Sequence, residues 1–228
     1  MKYPGKELEI FDNATFFQKY IYFQIKKFLK NEILEVGAGI GSFTRNYQER
    51  FTKVCLTDLD EKNYSTLKKK YADKGNIQVN NKKIDEIDGN FNTIIYLNVL
   101  EHIEKDQKEI EHALSKLNKN GHLIVLVPAH QKLYSKFDNA IGHCRRYEIN
   151  FFKNTKFKDV QIVKLFYLDI VGYLLYFLNK LFFSEEVYPS KAKILLWDKI
   201  FAPITILLDF ITCYKFGKNI LCVYKKTD

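Results

Sequence analysis

The sequence is poor in residues that bend or crosslink a chain. Of its 228 residues only 10 are Gly and 4 are Pro, and Met and Trp occur once each. The cysteines, Cys55, Cys144, Cys213 and Cys222, form no C-x-x-C pair, which argues against a structural zinc knot and a redox dithiol, and no metal ligand set is expected. Cys55 and Cys222 stand in apolar, strand-like runs and read as buried thiols of a reducing compartment. No internal repeat, low-complexity tract or Pro/Gly-rich linker divides the chain, so a single domain over 1–228 is expected. The start, Met1 to Glu9, is polar and leads into no apolar signal-peptide core, so a cytoplasmic protein is expected. A membrane span needs about 20 nearly uninterrupted apolar residues. The two most apolar stretches fall short: Leu165 to Phe183 contains Asp169, Asn179 and Lys180, and Ile194 to Ile211 contains Asp198, Lys199, Pro203 and Asp209.

The chain does carry a formal charge of +9, with 46% hydrophobic and 15% aromatic residues. That balance points to anionic partners (nucleic acid, phosphorylated metabolites or acidic lipid) without choosing among them. Hydrophobic periodicity predicts a first helix over Ala14 to Leu29, within an N-terminal helical cap of residues 1–30. Strands are expected at Ile33–Val36, Lys53–Thr57, Asn76–Val79, Thr93–Leu97, His122–Val127, Val160–Phe166 and Ile220–Tyr224. Helices are expected at Ser42–Arg50, Glu61–Tyr71 and Lys105–Leu117. Strand and helix alternate at short spacing, which predicts an α/β fold with a parallel sheet and helices on both faces. Ligands of such sheets bind beyond the carboxyl ends of the strands.

Because glycine is scarce, its concentration at Gly37-Ala38-Gly39-Ile40-Gly41 is informative. Glycines there let the chain turn and let a ligand approach the backbone. About 20 residues on, the second strand ends in Thr57-Asp58-Leu59-Asp60. Asp58 is placed to accept hydrogen bonds from ribose hydroxyls, Leu59 to pack on an adenine face, and Asp60 to cap the next helix. After the third strand the chain runs Asn80-Asn81-Lys82-Lys83-Ile84-Asp85. The fourth strand runs into Leu97-Asn98 and then Glu101-His102. The fifth is followed by His130, Tyr134, Asp138 and Gly142-His143-Cys144-Arg145-Arg146-Tyr147. A loop so rich in His, Arg and Tyr at a strand end suggests function. His143 is the first candidate general base, with His102 and His130 behind it. Tyr147 is a further catalytic candidate. Arg145 and Arg146 could hold an anionic acceptor beside His130 and Tyr134, or could form structural ion pairs with acids such as Asp138.

The run Leu34 to Thr44 resembles motif I of class I S-adenosylmethionine-dependent methyltransferases. The segments Glu7-Leu8-Glu9, Asn98 to His102, Val127-Pro128-Ala129, Leu133-Tyr134-Ser135, Gly142 to Tyr147 and Phe216 to Leu221 resemble one bacterial branch of that family. The resemblance implies a Rossmann-like seven-stranded sheet whose last strand is antiparallel, with S-adenosyl-L-methionine as cofactor. It places Glu35, Gly37, Ala38, Gly39, Gly41, Asp58, Leu59, Asn81, Leu97 and Asn98 around that cofactor, and implies an adenine-edge contact after the third strand by Asn81 or Asp85. It also implies methyl transfer to O or N of a small-molecule, sugar or lipid-linked acceptor. An apolar helical insertion, 167–215, then separates strands six and seven; it could serve as a lid, a homodimer face or a peripheral membrane contact. Phe16 and Tyr20 are placed to close over the cofactor. A nucleic-acid methyltransferase is disfavoured, since the Asn/Asp-Pro-Pro-aromatic run of DNA amino-methyltransferases is missing and no RNA-binding module is added. A non-catalytic scaffold subunit and an NAD-linked oxidoreductase are further alternatives, the latter opposed by Ser42, where the dinucleotide fingerprint has a third glycine.

Overall fold

The computed structural model describes residues 3–182 and 187–228. Phe183, and the side chains of Asn179 to Phe182, lie outside the described residues. Among these, β1 (Ile33–Val36), β2 (Val54–Thr57), β3 (Ile77–Asn80), β4 (Phe91–Leu97), β5 (Leu117–Pro128), β6 (Val160–Leu168) and β7 (Asn219–Lys226) build one sheet. Its order is β3-β2-β1-β4-β5-β7-β6. Neighbours among β1 to β5 pair in parallel, and β7 runs antiparallel to both β5 and β6. This is the Rossmann-like architecture expected, with β6 and β7 pairing although residues 169–218 intervene.

All four residues of β1 and of β2 are buried, as strands covered on both faces must be. Alternate residues feed two cores. Leu34 and Ile94 join Ile110 and Leu114 of α4 (Asp106–Ser115) and Phe152 of α6 (Ile149–Asn154). Ile33 and Ile95 join Ile21 and Ile25 of α2 (Thr15–Ile25) and Leu67 of α3 (Glu61–Lys70). The register sets Val36 beside Thr57 and Tyr96, and Leu97 beside Leu126. The ends of β1, β2, β4 and β5 therefore open on one edge. Strand order reverses between β1 and β4, the switch point where α/β sheets take ligands.

The expected helix over Ser42–Arg50 does not form. Two 3₁₀ turns, Thr44–Asn46 and Gln48–Arg50, stand there instead. The hydroxyls of Thr44 and Tyr47 both donate to buried Glu35 Oε2, at 2.6 and 2.5 Å, and the Asn46 side chain donates to the Phe43 carbonyl. Side chains that draw the segment inward and bond its backbone locally compete with an α-helical ladder.

The apolar segment forms α7 (Ile170–Phe182), α8 (Lys191–Leu196), a π-helical turn (Trp197–Phe201) and α9 (Ala202–Ile211). Its described aspartates Asp198 and Asp209 act as helix caps. Asp198 accepts from the Phe16 and Phe17 N–H groups at 3.0 and 2.8 Å, closing the start of α2, whose own N-cap, Ala14, has no side-chain acceptor. Asp209 accepts from the N–H groups of Asp169 and Ile170 at the start of α7, and from the Tyr20 hydroxyl at 2.9 Å. Tyr20 is thus buried and its hydroxyl is anchored to the insertion, while Phe16 is exposed. No described helix is long and apolar enough to cross a membrane.

Candidate active site

Gly37, Gly39 and Gly41 all adopt left-handed φ, of 65°, 59° and 73°. A Cβ at Gly37 would lie 2.5 Å from Val99 Cγ2, and one at Gly41 would lie 2.8 Å from the Tyr71 ring. Conformation and packing both demand glycine at these two positions. Ala38 is buried between them. The loop turns back toward β2, where Asp58 Oδ2 accepts from the Gly39 N–H at 2.8 Å and Oδ1 from the Asp60 N–H at 2.9 Å. Burial pushes the Asp58 carboxyl above its ordinary range, and those amides partly oppose it. Asp60 caps α3 through the Asn63 N–H at 2.9 Å. Asn81 donates to the Asp58 carbonyl at 2.9 Å, which brings the third strand end to the same place; Asp85 is exposed nearby in sequence. Leu59 and Leu97 are half-buried at the same edge, and Asn98, with φ 53°, is exposed just beyond β4. Glu35 is the exception among the expected cofactor residues, because its bonds to Thr44 and Tyr47 make it a brace behind the loop.

A roof over this edge comes from the N-terminal residues, of which the sequence reading singled out only Glu7-Leu8-Glu9, as part of the family resemblance. The Tyr3 N–H donates to Asp60 Oδ2 at 2.8 Å, and Leu8 of the single turn α1 (Leu8–Phe11) faces Gly39. Pro4 lies over Gly142, whose φ of 83° and a would-be Cβ 2.9 Å from Pro4 Cγ explain that glycine. Asp12 pairs with Arg45 and accepts from Ser42 Oγ at 2.5 Å, fastening the roof to the far end of the loop.

Beyond β4 and β5 the histidines converge. His143 Nδ1 lies 2.9 Å from Asp138 Oδ1, and its Nε2 lies 3.7 Å from Glu101 Oε1. The His102 and His143 rings meet edge to face with centroids 4.7 Å apart. His102 Nδ1 lies 3.1 Å from the Gly142 carbonyl, so Nδ1 carries the proton. Burial, reinforced by His143, pushes His102 down to about 4, which makes it a neutral imidazole at physiological pH. Glu101 is fully buried, and no other described residue offers a hydrogen bond to either carboxylate oxygen. Burial pushes it up to about 7 against the pull of His143.

Asp138 in α5 (Lys136–Ala140) is the hub of this region. It accepts from His143, from Arg146 Nε at 2.9 Å, from the Ser135 N–H at 2.9 Å and from the Tyr176 hydroxyl at 3.0 Å. Burial alone would raise its carboxyl, but His143 and the Arg146 guanidinium hold it well below the usual carboxylate range. Of the two readings open for the arginines, the structural ion pair is the one formed. Arg146 is buried on Asp138, its guanidinium 4.5 Å from the Tyr176 ring centroid, and Arg145 is committed to Asp106 at 2.7 Å and to the Glu104 carbonyl. Tyr147 is corrected. It is buried in the core, its hydroxyl shared between Asp106 Oδ2 at 2.9 Å and the Leu100 carbonyl at 3.2 Å. Tyr134 donates to the His143 carbonyl at 2.6 Å and so positions that residue's backbone. His130 stacks on Tyr167, centroids 5.1 Å apart, and its Nε2 lies 3.1 Å from the Gly217 carbonyl.

Comparison with known proteins agrees with this geometry. No curated protein matches the chain in sequence. Among solved structures, coclaurine N-methyltransferase bound to N-methylheliamine and S-adenosylhomocysteine superposes with a TM-score of 0.62 at 12% identity, over 93% of this chain and 72% of that one. A S-adenosylmethionine-dependent methyltransferase from Clostridium acetobutylicum gives 0.60 at 13% identity, over 94% and 92%. The N-methyltransferase NodS from Bradyrhizobium japonicum, in complex with S-adenosylhomocysteine, gives 0.56 at 12% identity, over 91% and 83%. These likenesses establish the fold. Residues 11–160 match the family described as a methyltransferase domain. That match takes in every strand end from β1 to β5 and about two-thirds of the sequence, and the chain therefore belongs to the family of methyltransferase domains.

Proposed function

We propose that the protein transfers a methyl group from S-adenosylmethionine to an oxygen or nitrogen of a small-molecule, sugar or lipid-linked acceptor. One observation carries this reading: at the sheet's switch point, a loop of three left-handed glycines is joined to the acid at the end of β2 through the Gly39 amide. The residues fit such a cofactor. Gly39 faces the end of the Leu8 side chain, not backbone, so space there opens by a side-chain movement. Gly37, Ala38, Gly39 and Gly41 would line the methionine portion, Asp58 the ribose, Leu59 the adenine face and Asn81 or Asp85 its edge. Leu97 and Asn98 would stand beside the sulfur. Bound there, S-adenosylmethionine supplies an electrophilic methyl group on a positively charged sulfur.

The chain's own part is to align the acceptor and keep water out. The roof of Tyr3, Pro4 and Leu8 serves the second task. His143 is the group that handles the acceptor's proton, since Asp138 fixes its Nδ1–H and leaves the Nε2 lone pair directed toward Glu101. The small-molecule ligand of coclaurine N-methyltransferase supports an acceptor of modest size. A lipid-linked acceptor is favoured by the insertion, where Leu196, Ile200, Ile204 and Leu207 remain exposed along one helical face. Lys199 and Lys215 are exposed within or just beyond that helix, so the surface suits an anionic membrane. Calorimetry with S-adenosylhomocysteine tests the main reading: a folded chain that does not bind it would overturn the proposal. Co-sedimentation with phosphatidylglycerol vesicles tests the membrane surface. Self-association that hides the same face, without vesicle binding, would replace the membrane by a second copy.

A further inference from the structure

Glu101, His102 and His143 each bring one possible ligand atom within 4.8 Å of the others. We propose that these three side chains bind one divalent transition-metal ion of the zinc, cobalt(II) or iron(II) class beside the acceptor.

The first support is spacing. Metal–ligand bonds of about 2.1 Å put neighbouring ligands of a tetrahedral ion about 3.4 Å apart. His143 Nε2 and Glu101 Oε1 already stand at 3.7 Å. The widest separation closes with a side-chain shift of about 1 Å.

The second support is orientation. Each imidazole has its Nδ1 held by an acceptor, the Gly142 carbonyl for His102 and the Asp138 carboxylate for His143. Both Nε2 lone pairs are left for an electrophile. Metal-binding histidines are oriented by outer partners of this kind.

The third support is the carboxylate. Glu101 is fully buried, and no other described residue offers a hydrogen bond to either of its oxygens. A carboxylate in that position is costly unless a cation neutralises it. Two imidazoles and one carboxylate favour a borderline transition ion over magnesium or calcium, and three protein ligands leave a coordination position open.

An ion there would hold an acceptor hydroxyl and lower its pKa. With the ion bound, the O–H electron pair stays on oxygen and the proton passes to bulk water as the acceptor enters, before the site closes. His143 is then a ligand, and its role as base applies to the ion-free protein. This role rests on the methyl-transfer reading; ion binding itself does not.

The test uses the full chain stripped with a chelator. Cobalt(II) is titrated with visible absorption as readout and zinc(II) by calorimetry, and S-adenosylhomocysteine binding is measured on the same samples. One ion per chain is expected, with binding weakened at least about tenfold by Glu101→Gln and by His143→Gln in variants whose circular dichroism is native. If either variant fails to fold, His102→Gln supplies the same comparison. Wild-type protein that binds S-adenosylhomocysteine but no ion, or ion binding unchanged in the folded variants, overturns the metal site alone. An ion bound without S-adenosylhomocysteine supports the site and overturns the methyltransferase reading.

Discussion

Asp58 is where fold and function can be separated by substitution. Its two oxygens accept from the Gly39 and Asp60 amides at 2.8 and 2.9 Å, and the residue is buried. Hydrogen bonds to a charged group contribute about 1.5–3 kcal/mol each. Asp58→Ala removes both acceptors and should cost about 2–4 kcal/mol of folding stability, allowing for water that enters the gap. Asp58→Asn keeps one oxygen for the Gly39 amide and should cost about 1–2 kcal/mol. Cofactor binding should respond differently. If Asp58 also grips the ribose, losing that charged pair weakens S-adenosylhomocysteine by about 10- to 150-fold. Urea denaturation gives the first quantity and calorimetry the second. The Asn variant is decisive, because its loop remains held. An Asn variant that is folded and binds S-adenosylhomocysteine with wild-type affinity would refute the assignment of Asp58 to the ribose.

Three further outcomes are expected. In chelator, Glu101→Gln should become more stable than wild type as pH rises from about 4.5 to 7. The Glu101 carboxyl is raised to about 7, so its stabilising proton is present below the unfolded value and lost through the folded one. Paired urea titrations at pH 5 and pH 8 check the sign, and equal differences at both would contradict it. Gly41→Ala should cost about 2–4 kcal/mol, combining left-handed strain with a Cβ 2.8 Å from Tyr71, as read from the denaturation midpoint. Asp198→Ala should cost about 1 kcal/mol and speed hydrogen exchange at the Phe16 and Phe17 amides, while the Asp60-capped Asn63 amide keeps its rate.

What could be read from the sequence was whatever a few neighbouring residues decide. The strands were legible because short apolar runs end in punctuation, as Ile33–Val36 does at Gly37. Asp58 and the glycines were legible because their spacing along one βαβ unit carries the geometry. The paired arginines were open to two readings, and Tyr147 was placed in the site, for the opposite reason. Asp138 was in view from the sequence as an ion-pair partner, but the choice between the readings, and the approach of Asp106 to Tyr147 and Arg145, needed the fold. The Ser42–Arg50 helix was lost to Glu35, a residue on another element. The roof was hidden because Tyr3 and Pro4 carry no pattern of their own, and Leu8, though part of a family-like run, acquires its place only from Gly39, as Tyr3 and Pro4 do from Asp60 and Gly142. The acids in the apolar segment could be read as breaks in a membrane span, but not as partners of a helix 182 residues earlier.

That last pairing bears on how the polypeptide is made. Translation delivers α2 long before Asp198 leaves the ribosome, so the nascent helix spends most of synthesis with its leading amides open to water. Tyr20 waits likewise for Asp209. A product ending before this acidic pair holds β1 to β5 but leaves the Phe16 and Phe17 amides and the Tyr20 hydroxyl without the acceptors that the full chain gives them.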